Sequence, residues 1–220
     1  MIGSSTSNTL SYKGRSVITQ PGITREREIF MRPIRIAYSL IGCFFVIDGL
    51  LRKGKKARSL QAGQTDRGTT RAVGTAFGLA LLALIVAPFL NRLRLGRIHS
   101  ETLAWGGIPA MLAGLALRIW AIRVLGSFYT RTLRTSTDQR LIAEGPYRLV
   151  RNPGYLGDLL LWLGAGVASA NWIALAIIAF PMVQAYRIRI QAEEAMLANT
   201  FSQEYQSYAS RTWRLIPYIY

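Results

Sequence analysis

The apolar residues of this chain gather into five runs, roughly 36–51, 72–90, 103–125, 155–170 and 172–186, and the segments between them are rich in arginine and lysine. In hydrocarbon every backbone polar group must be satisfied inside its own segment, so long apolar runs fold there as helices. Half of the 220 residues are hydrophobic, yet 27 Lys and Arg stand against 11 Asp and Glu. Soluble domains rarely combine such apolarity with a pI near 10.9. A polytopic membrane protein does, with basic loops on its cytoplasmic side. Nucleic-acid binding is the rival source of positive charge. The basic residues lie between apolar runs rather than on one module, which argues for membrane lipids and against a nucleic-acid partner.

The expected fold class is an all-α integral membrane protein of about five transmembrane helices. Residues 1–32 read as a flexible polar tail without the apolar core of a secretory signal, and REREIFMRP as a short amphipathic approach to the membrane. Residues 33–125 form a scaffold of three spans. In the second, Pro88 is expected to bend or end the helix. Arg118 falls inside the third, where an arginine costs about 2.5–3.5 kcal/mol unless it snorkels or finds a partner. It is expected to snorkel, the alternative being that it faces a polar cavity. Asp48 is expected to pair with nearby Lys and Arg, and Cys43 to serve packing. His99, the only histidine, reads as an interfacial residue.

Residues 126–220 form the third region: a cytosolic loop, a helical hairpin and a C-terminal helix. TRTLRT alternates as a strand would. Asn171 marks the tight turn of the hairpin, and Pro181 should kink its second arm. Each arm is short, about 24 Å at 1.5 Å per residue against a core of about 30 Å. The pair is therefore tilted, extended by flanking residues or partly inserted. With five spans, the segments 52–71, 126–154 and beyond 186 share one side and hold sixteen Lys and Arg, against nine on the other. This places the C-terminus in the cytoplasm.

Three groups of residues could carry chemistry. Glu193 and Glu194 follow Arg187 and Arg189, and Arg189 and Glu193 share a helix face. Adjacent carboxylates there could hold an amino group or two ribose hydroxyls; a solvated face with one salt bridge is the plainer reading. Gly145-Pro146-Tyr147 and Asn152-Pro153-Gly154-Tyr155 are turn formers whose backbone N–H groups, near a helix start, could bind an anion. Gly164-Ala165-Gly166 permits close approach, more often by another helix than by a ligand. With one cysteine and one histidine no Cys or His metal cluster is available, and no metal site is expected. No P-loop, HExxH or dinucleotide fingerprint is present.

Taken in order, GPYRLVRNPGYLG, an apolar hairpin, YRIRIQAEE, FSQEYQSY and WRLIP resemble the isoprenylcysteine carboxyl methyltransferases and the related phospholipid methyltransferases. LGSFYTRTLR also matches, so the resemblance covers about residues 120–217. It implies an integral membrane enzyme that transfers a methyl group from S-adenosylmethionine to a lipophilic acceptor. The hairpin and the cytosolic charged helix would enclose the cofactor. By position, Tyr147, Asn152, Pro153, Tyr155, Gly157, Gly164, Gly166, Glu193 and Glu194 would lie at the cofactor. Arg189, with Arg187 beside it, would meet the acceptor's carboxylate, and Glu193 joins them in the catalytic set. The family usually has Arg-His-Pro where this chain has Arg151-Asn152-Pro153. Asparagine can donate and accept hydrogen bonds but cannot titrate. The resemblance favours carboxyl O-methylation of a prenylcysteine-like or other lipophilic carboxylate. Alternatives are a phospholipid or small-molecule methyltransferase and an NADPH-dependent membrane reductase of similar architecture. The membrane would be the plasma or inner membrane in a prokaryote and the endoplasmic reticulum in a eukaryote.

Overall fold

The computed structural model describes residues 21–51, 68–126 and 141–219, with side chains from Arg32 onward. Residues 1–20 of the polar tail, the basic loop after Leu51 and the strand-like TRTLRT lie outside the described residues, whereas 21–32 of the expected tail are helical backbone. Five helices follow one another: α1 Pro21–Leu51, α2 Thr69–Arg92, α3 Glu101–Leu125, α4 Pro153–Ala168 and α5 Trp172–Ala209. A 3₁₀ turn, Gly145–Arg148, precedes α4. Every described element is helical, and four of the five helices are long and apolar enough to cross a membrane.

The exception is α4, with only 16 residues. Ten of these are buried, including Trp162 and Leu161, so protein rather than lipid covers most of its surface. The helix packs most closely on α3, through two facing glycine pairs. A Cβ on Gly164 would stand 2.6 Å from the Gly107 carbonyl oxygen, and one on Gly157 would stand 2.7 Å from that of Gly114. Without side chains there, the two backbones approach closely, as small residues allow in membrane bundles. On α2, Ala76, Ala80, Ala83 and Ala87 recur at helical spacing and are buried, and α5 packs against this helix. Phe44 of α1, Phe77 of α2 and Trp162 of α4 close the centre.

Several expectations are corrected. Helix α1 begins fifteen residues before the expected start at 36, its apolar part being Arg32–Leu51. Pro88 does not end α2. A proline removes the N–H that would bond the carbonyl four residues back, here that of Leu84. The Tyr38 hydroxyl donates to this carbonyl at 2.7 Å instead, so the helix runs on to Arg92. In α5, which contains Pro181, a break not expected from the sequence falls at Ser202 (φ 45°, ψ −112°). Cys43 is exposed on the outer face of α1 rather than packed.

Asn171 does form the tight turn. It caps α5 by accepting from the Ala174 N–H, and its amide donates to Asn91 Oδ1 at 2.7 Å and to the Leu95 carbonyl at 2.8 Å. The Trp172 N–H donates to Gly96 O and the Ile98 N–H to Ala170 O. These bonds tie the α2–α3 connection to the α4–α5 turn at one end of the bundle. Among the described residues, the ion pairs between Arg118, Asp48, Asp158, Arg151, Arg214 and Glu194 collect at the other.

Candidate functional site

Where α2 and α4 begin and α3 ends, three polar clusters adjoin. The first joins α4 to α5. Tyr155 lies on the first turn of α4, and Arg189 and Glu193 lie one turn apart on α5. Arg189 Nε donates to the Tyr155 hydroxyl at 3.2 Å, and that hydroxyl donates to Glu193 Oε2 at 2.6 Å. The expected Arg189–Glu193 stacking is thus bridged by a phenol. Arg189 Nη1 also donates to Thr69 Oγ1 at 2.8 Å and Thr70 Oγ1 at 3.3 Å. Arg189 is buried and Glu193 half-buried. Among the described residues Glu193 accepts only from Tyr155, leaving most of its acceptor capacity unspent.

The second cluster fastens the C-terminal segment. Arg151 Nε donates to Glu194 Oε1 at 3.0 Å, and Arg214 Nε stands 2.8 Å from Glu194 Oε2. Arg151 Nη1 donates to the Ala209 carbonyl at 2.8 Å and to the Thr212 carbonyl. It thereby satisfies acceptors at the C-terminus of α5 that have no partner within the helix. Asn152 Nδ2 donates to the Arg214 carbonyl at 2.8 Å and reaches Glu194 at 3.5 Å. Backbone bonds from Arg151 N to Trp213 O and from Trp213 N to Leu149 O hold the segment alongside the approach to α4. Asn152 is therefore a fastener, a role that needs an amide donor and no titrating group. The solvated-face reading fails for Glu194, which sits between two guanidiniums with its side chain 11% exposed.

The third cluster is a buried ion network. Arg118 Nη1 donates to Asp158 Oδ2 at 2.6 Å and Arg118 Nη2 to Asp48 Oδ1 at 3.1 Å. The Tyr186 hydroxyl donates to the same Asp158 oxygen at 2.7 Å. Arg118 is not snorkelling: two carboxylates from α1 and α4 meet it inside the bundle, giving the partner that makes an intramembrane arginine tolerable. Asp48 reaches this arginine seventy residues away in sequence.

The other sequence-derived residues fall as follows. The Tyr147 carbonyl accepts from the Tyr208 hydroxyl at 2.8 Å. Pro153 is buried as the first residue of α4, where its missing N–H costs nothing. Gly157 and Gly164 face α3, and Gly166 faces Leu175 and Ile178 of α5; helix packing accounts for all three missing Cβ atoms. Arg187 is exposed. The clusters thus bring together Tyr155, Arg189 and Glu193, and beside them Asn152 and Glu194. Sequence reasoning missed Asp158 and Tyr186, and also Arg214, Thr69 and Thr70. The available signal was a third ionisable residue, Asp158, inside an apolar run. Next to the site, an apolar crevice of about 150 Å³ lies between Leu117 and Trp120 of α3 and Pro146, Val150, Pro153 and Leu156.

Five packed helices with a polar, arginine-rich end define a polytopic membrane protein whose C-terminal half carries the polar clusters. Residues 102–204 match the phospholipid methyltransferase family. A probable protein-S-isoprenylcysteine O-methyltransferase of Oryza sativa subsp. indica is 32% identical over 117 residues, covering 51% of this chain and 60% of the rice protein. The protein-S-isoprenylcysteine O-methyltransferase of Dictyostelium discoideum is 25% identical over 146 residues, covering 66% of this chain and 62% of that protein. The matched stretch therefore spans about three fifths of these relatives. The solved structure of a eukaryotic intramembrane Ras methyltransferase, an isoprenylcysteine carboxyl methyltransferase, superposes with a TM-score of 0.59 at 23% identity. It covers 92% of this chain and 70% of that one, a likeness of fold. The motifs' resemblance agrees with these findings: the chain is similar in sequence to isoprenylcysteine O-methyltransferases over about half its length, and similar in fold to one of them over most of its length.

Proposed function

We propose that the protein is a membrane methyltransferase that uses S-adenosylmethionine to methylate the carboxylate of a prenylcysteine-like or other lipophilic acceptor. The observation that carries this reading is the Arg189–Tyr155–Glu193 arrangement, a buried cation and a free-faced carboxylate held one turn apart by a single phenol. It lies within the segment that matches the family.

The residues present fit the donor. Its ammonium group and ribose hydroxyls need an acceptor-only partner, and Glu193 has that capacity. Glu194 and Asn152 would form the wall behind it, with Tyr147, Pro153 and Tyr155 beside them. Gly157, Gly164 and Gly166 belong to the proposed set through the close helix packing that shapes this wall. When bound, S-adenosylmethionine supplies a methyl group already activated on a sulfonium. The protein has then to place and align the acceptor rather than to activate it. A carboxylate acceptor is ionised at neutral pH and needs no base, which suits a site without histidine. Arg189 would hold the carboxylate by charge-assisted hydrogen bonds, and exposed Arg187 would draw it in from the surface. The apolar crevice beside α3 suits a hydrocarbon tail arriving from the bilayer. The preponderance of basic residues on the segments flanking this end supports a site open to the cytosol.

The test is methyl transfer by detergent-purified protein from methyl-labelled S-adenosylmethionine to S-farnesylated N-acetylcysteine. The expected product releases labelled methanol in base, as a methyl ester does. Label that is stable to base and appears only with a phosphatidylethanolamine acceptor would replace the carboxylate reading with an amine reading. Saturable NADPH binding without S-adenosylmethionine binding would overturn both.

A further inference from the structure

The buried ion network reaches the proposed site through one aromatic contact. Asp158 Oδ2 accepts from Arg118 and from the Tyr186 hydroxyl. The Tyr186 ring packs on that of Tyr155, with centroids 5.1 Å apart and planes inclined at 36°. The Tyr155 hydroxyl in turn accepts from Arg189 and donates to Glu193. Four helices therefore meet in one chain of contacts. Asp48 of α1 and Asp158 of α4 grip Arg118 of α3, and Tyr186 of α5 carries the result to Tyr155. Arg118 also donates to the Gly154 carbonyl at 3.3 Å, one residue before Tyr155. Arginine presents its donors in a rigid planar fork, so its two carboxylate partners fix the separation of α1 and α4 at this level.

We propose that Arg118, Asp158 and Tyr186 are positioning residues. Without touching the reactants, they set the Tyr155 ring and hence the spacing of Arg189 and Glu193. This inference rests on the functional reading above for its consequence in turnover, and on the contacts alone for its geometry. A phenol held on one face by a second ring and at its oxygen by two charged groups has few orientations left. Releasing the Tyr186 hydroxyl from Asp158 frees the second ring to tilt and lets Tyr155 follow. Arg189 would then still be present but misplaced, so its charge-assisted hydrogen bonds hold the acceptor carboxylate less well while the cofactor's own contacts remain.

The experiment reads geometry and kinetics separately. The full-length protein is labelled with 3-fluorotyrosine, and the Tyr155 fluorine resonance is identified by its loss in Tyr155→Phe. Asp158→Asn keeps the side-chain volume, and Tyr186→Phe removes one oxygen from a ring that stays packed. Both should shift the Tyr155 resonance, whereas Phe180→Leu, at a lipid-facing position 70% exposed, should not. Both should also raise KM for S-farnesylated N-acetylcysteine about tenfold while the S-adenosylmethionine Kd stays within about threefold. Arg118→Lys, which retains the charge but loses the fork, should fall between wild type and Asp158→Asn. An unmoved resonance in both variants overturns the positioning. A moved resonance with wild-type acceptor KM overturns it as well, leaving the network a structural support. Should Asp158→Asn fail to fold, Tyr186→Phe decides alone. A wild type that binds no S-adenosylmethionine defeats the functional reading, and the resonance still decides the geometry.

Discussion

Glu193 and Glu194 are neighbours in sequence with opposite circumstances. Glu194 is clamped between Arg151 and Arg214, and its side chain is 11% exposed. Glu193 meets only the Tyr155 hydroxyl among the described residues. Neutralising Glu194 leaves two guanidiniums facing each other with no anion between them, and loss of one partner of a largely buried pair costs about 3–5 kcal/mol. Neutralising Glu193 leaves an amide oxygen that can still accept from Tyr155. Glu194→Gln is therefore expected to lower the thermal midpoint in detergent and S-adenosylmethionine binding together. Glu193→Gln should weaken binding at least tenfold, about 1.4 kcal/mol, with the midpoint nearly unchanged. A binding titration beside a melting curve for each variant checks this, and equal losses in both would refute the division of labour. The carboxylate pair itself was conspicuous in the sequence, but the difference between its members was not. It is decided by Arg151 and Arg214, 43 and 20 positions away, and nothing local to Glu193-Glu194 announces them.

Among the helices, the closest approach is that of α3 and α4, where Gly107 faces Gly164 and Gly114 faces Gly157. A side chain at 164 has nowhere to go but into the backbone of α3. Gly164→Val is expected to destabilise the bundle by about 1–3 kcal/mol through overpacking, read as a lower denaturant midpoint in micelles. Gly74 of α2 meets nothing within 4 Å, and Gly74→Ala should be neutral or slightly stabilising through helix propensity. A Tyr38→Phe change tests the repair of α2. It leaves the Leu84 carbonyl without its hydroxyl donor, and an interhelical hydrogen bond in a membrane is worth about 0.6–2 kcal/mol. An unchanged midpoint would mean that Pro88 needs no such repair. The helices were largely legible: four of the apolar runs begin within three residues of helices α2–α5, because hydrocarbon leaves an apolar segment little choice. What escaped was set by pairing across distance. Leu84 depends on a tyrosine 46 residues away and Arg118 on carboxylates 70 and 40 residues away. Neither relation leaves a periodicity to read. At Pro88 the local rule forbids what the neighbouring helix mends through Tyr38.

The whole molecule is polar at both ends in different ways. At one end Asn91, Asn171 and the Leu95 carbonyl form a neutral knot. At the other, four arginines and four carboxylates lie within the clusters described. This asymmetry matches the distribution of basic residues, sixteen on the segments flanking the charged end against nine on the other side. Positively charged segments resist translocation, so the charged end is expected to face the cytoplasm. The same orientation would let a water-soluble donor reach Glu193 while the acceptor's tail stays in lipid. The expectation can be tested without any assay of activity. Cys43, exposed on α1, is first changed to serine so that the chain has no thiol of its own. Single cysteines are then placed at Ser210, beyond α5, and at His99, before α3, both exposed. A membrane-impermeant maleimide applied to intact cells should label the His99→Cys protein and spare the Ser210→Cys protein until the membrane is permeabilised. The reverse pattern would invert the bundle and place Arg189 and Glu193 on the side without cytosolic S-adenosylmethionine. Labelling of both positions from one side would mean an even number of crossings between them, so that only one of α4 and α5 spans the bilayer after α3.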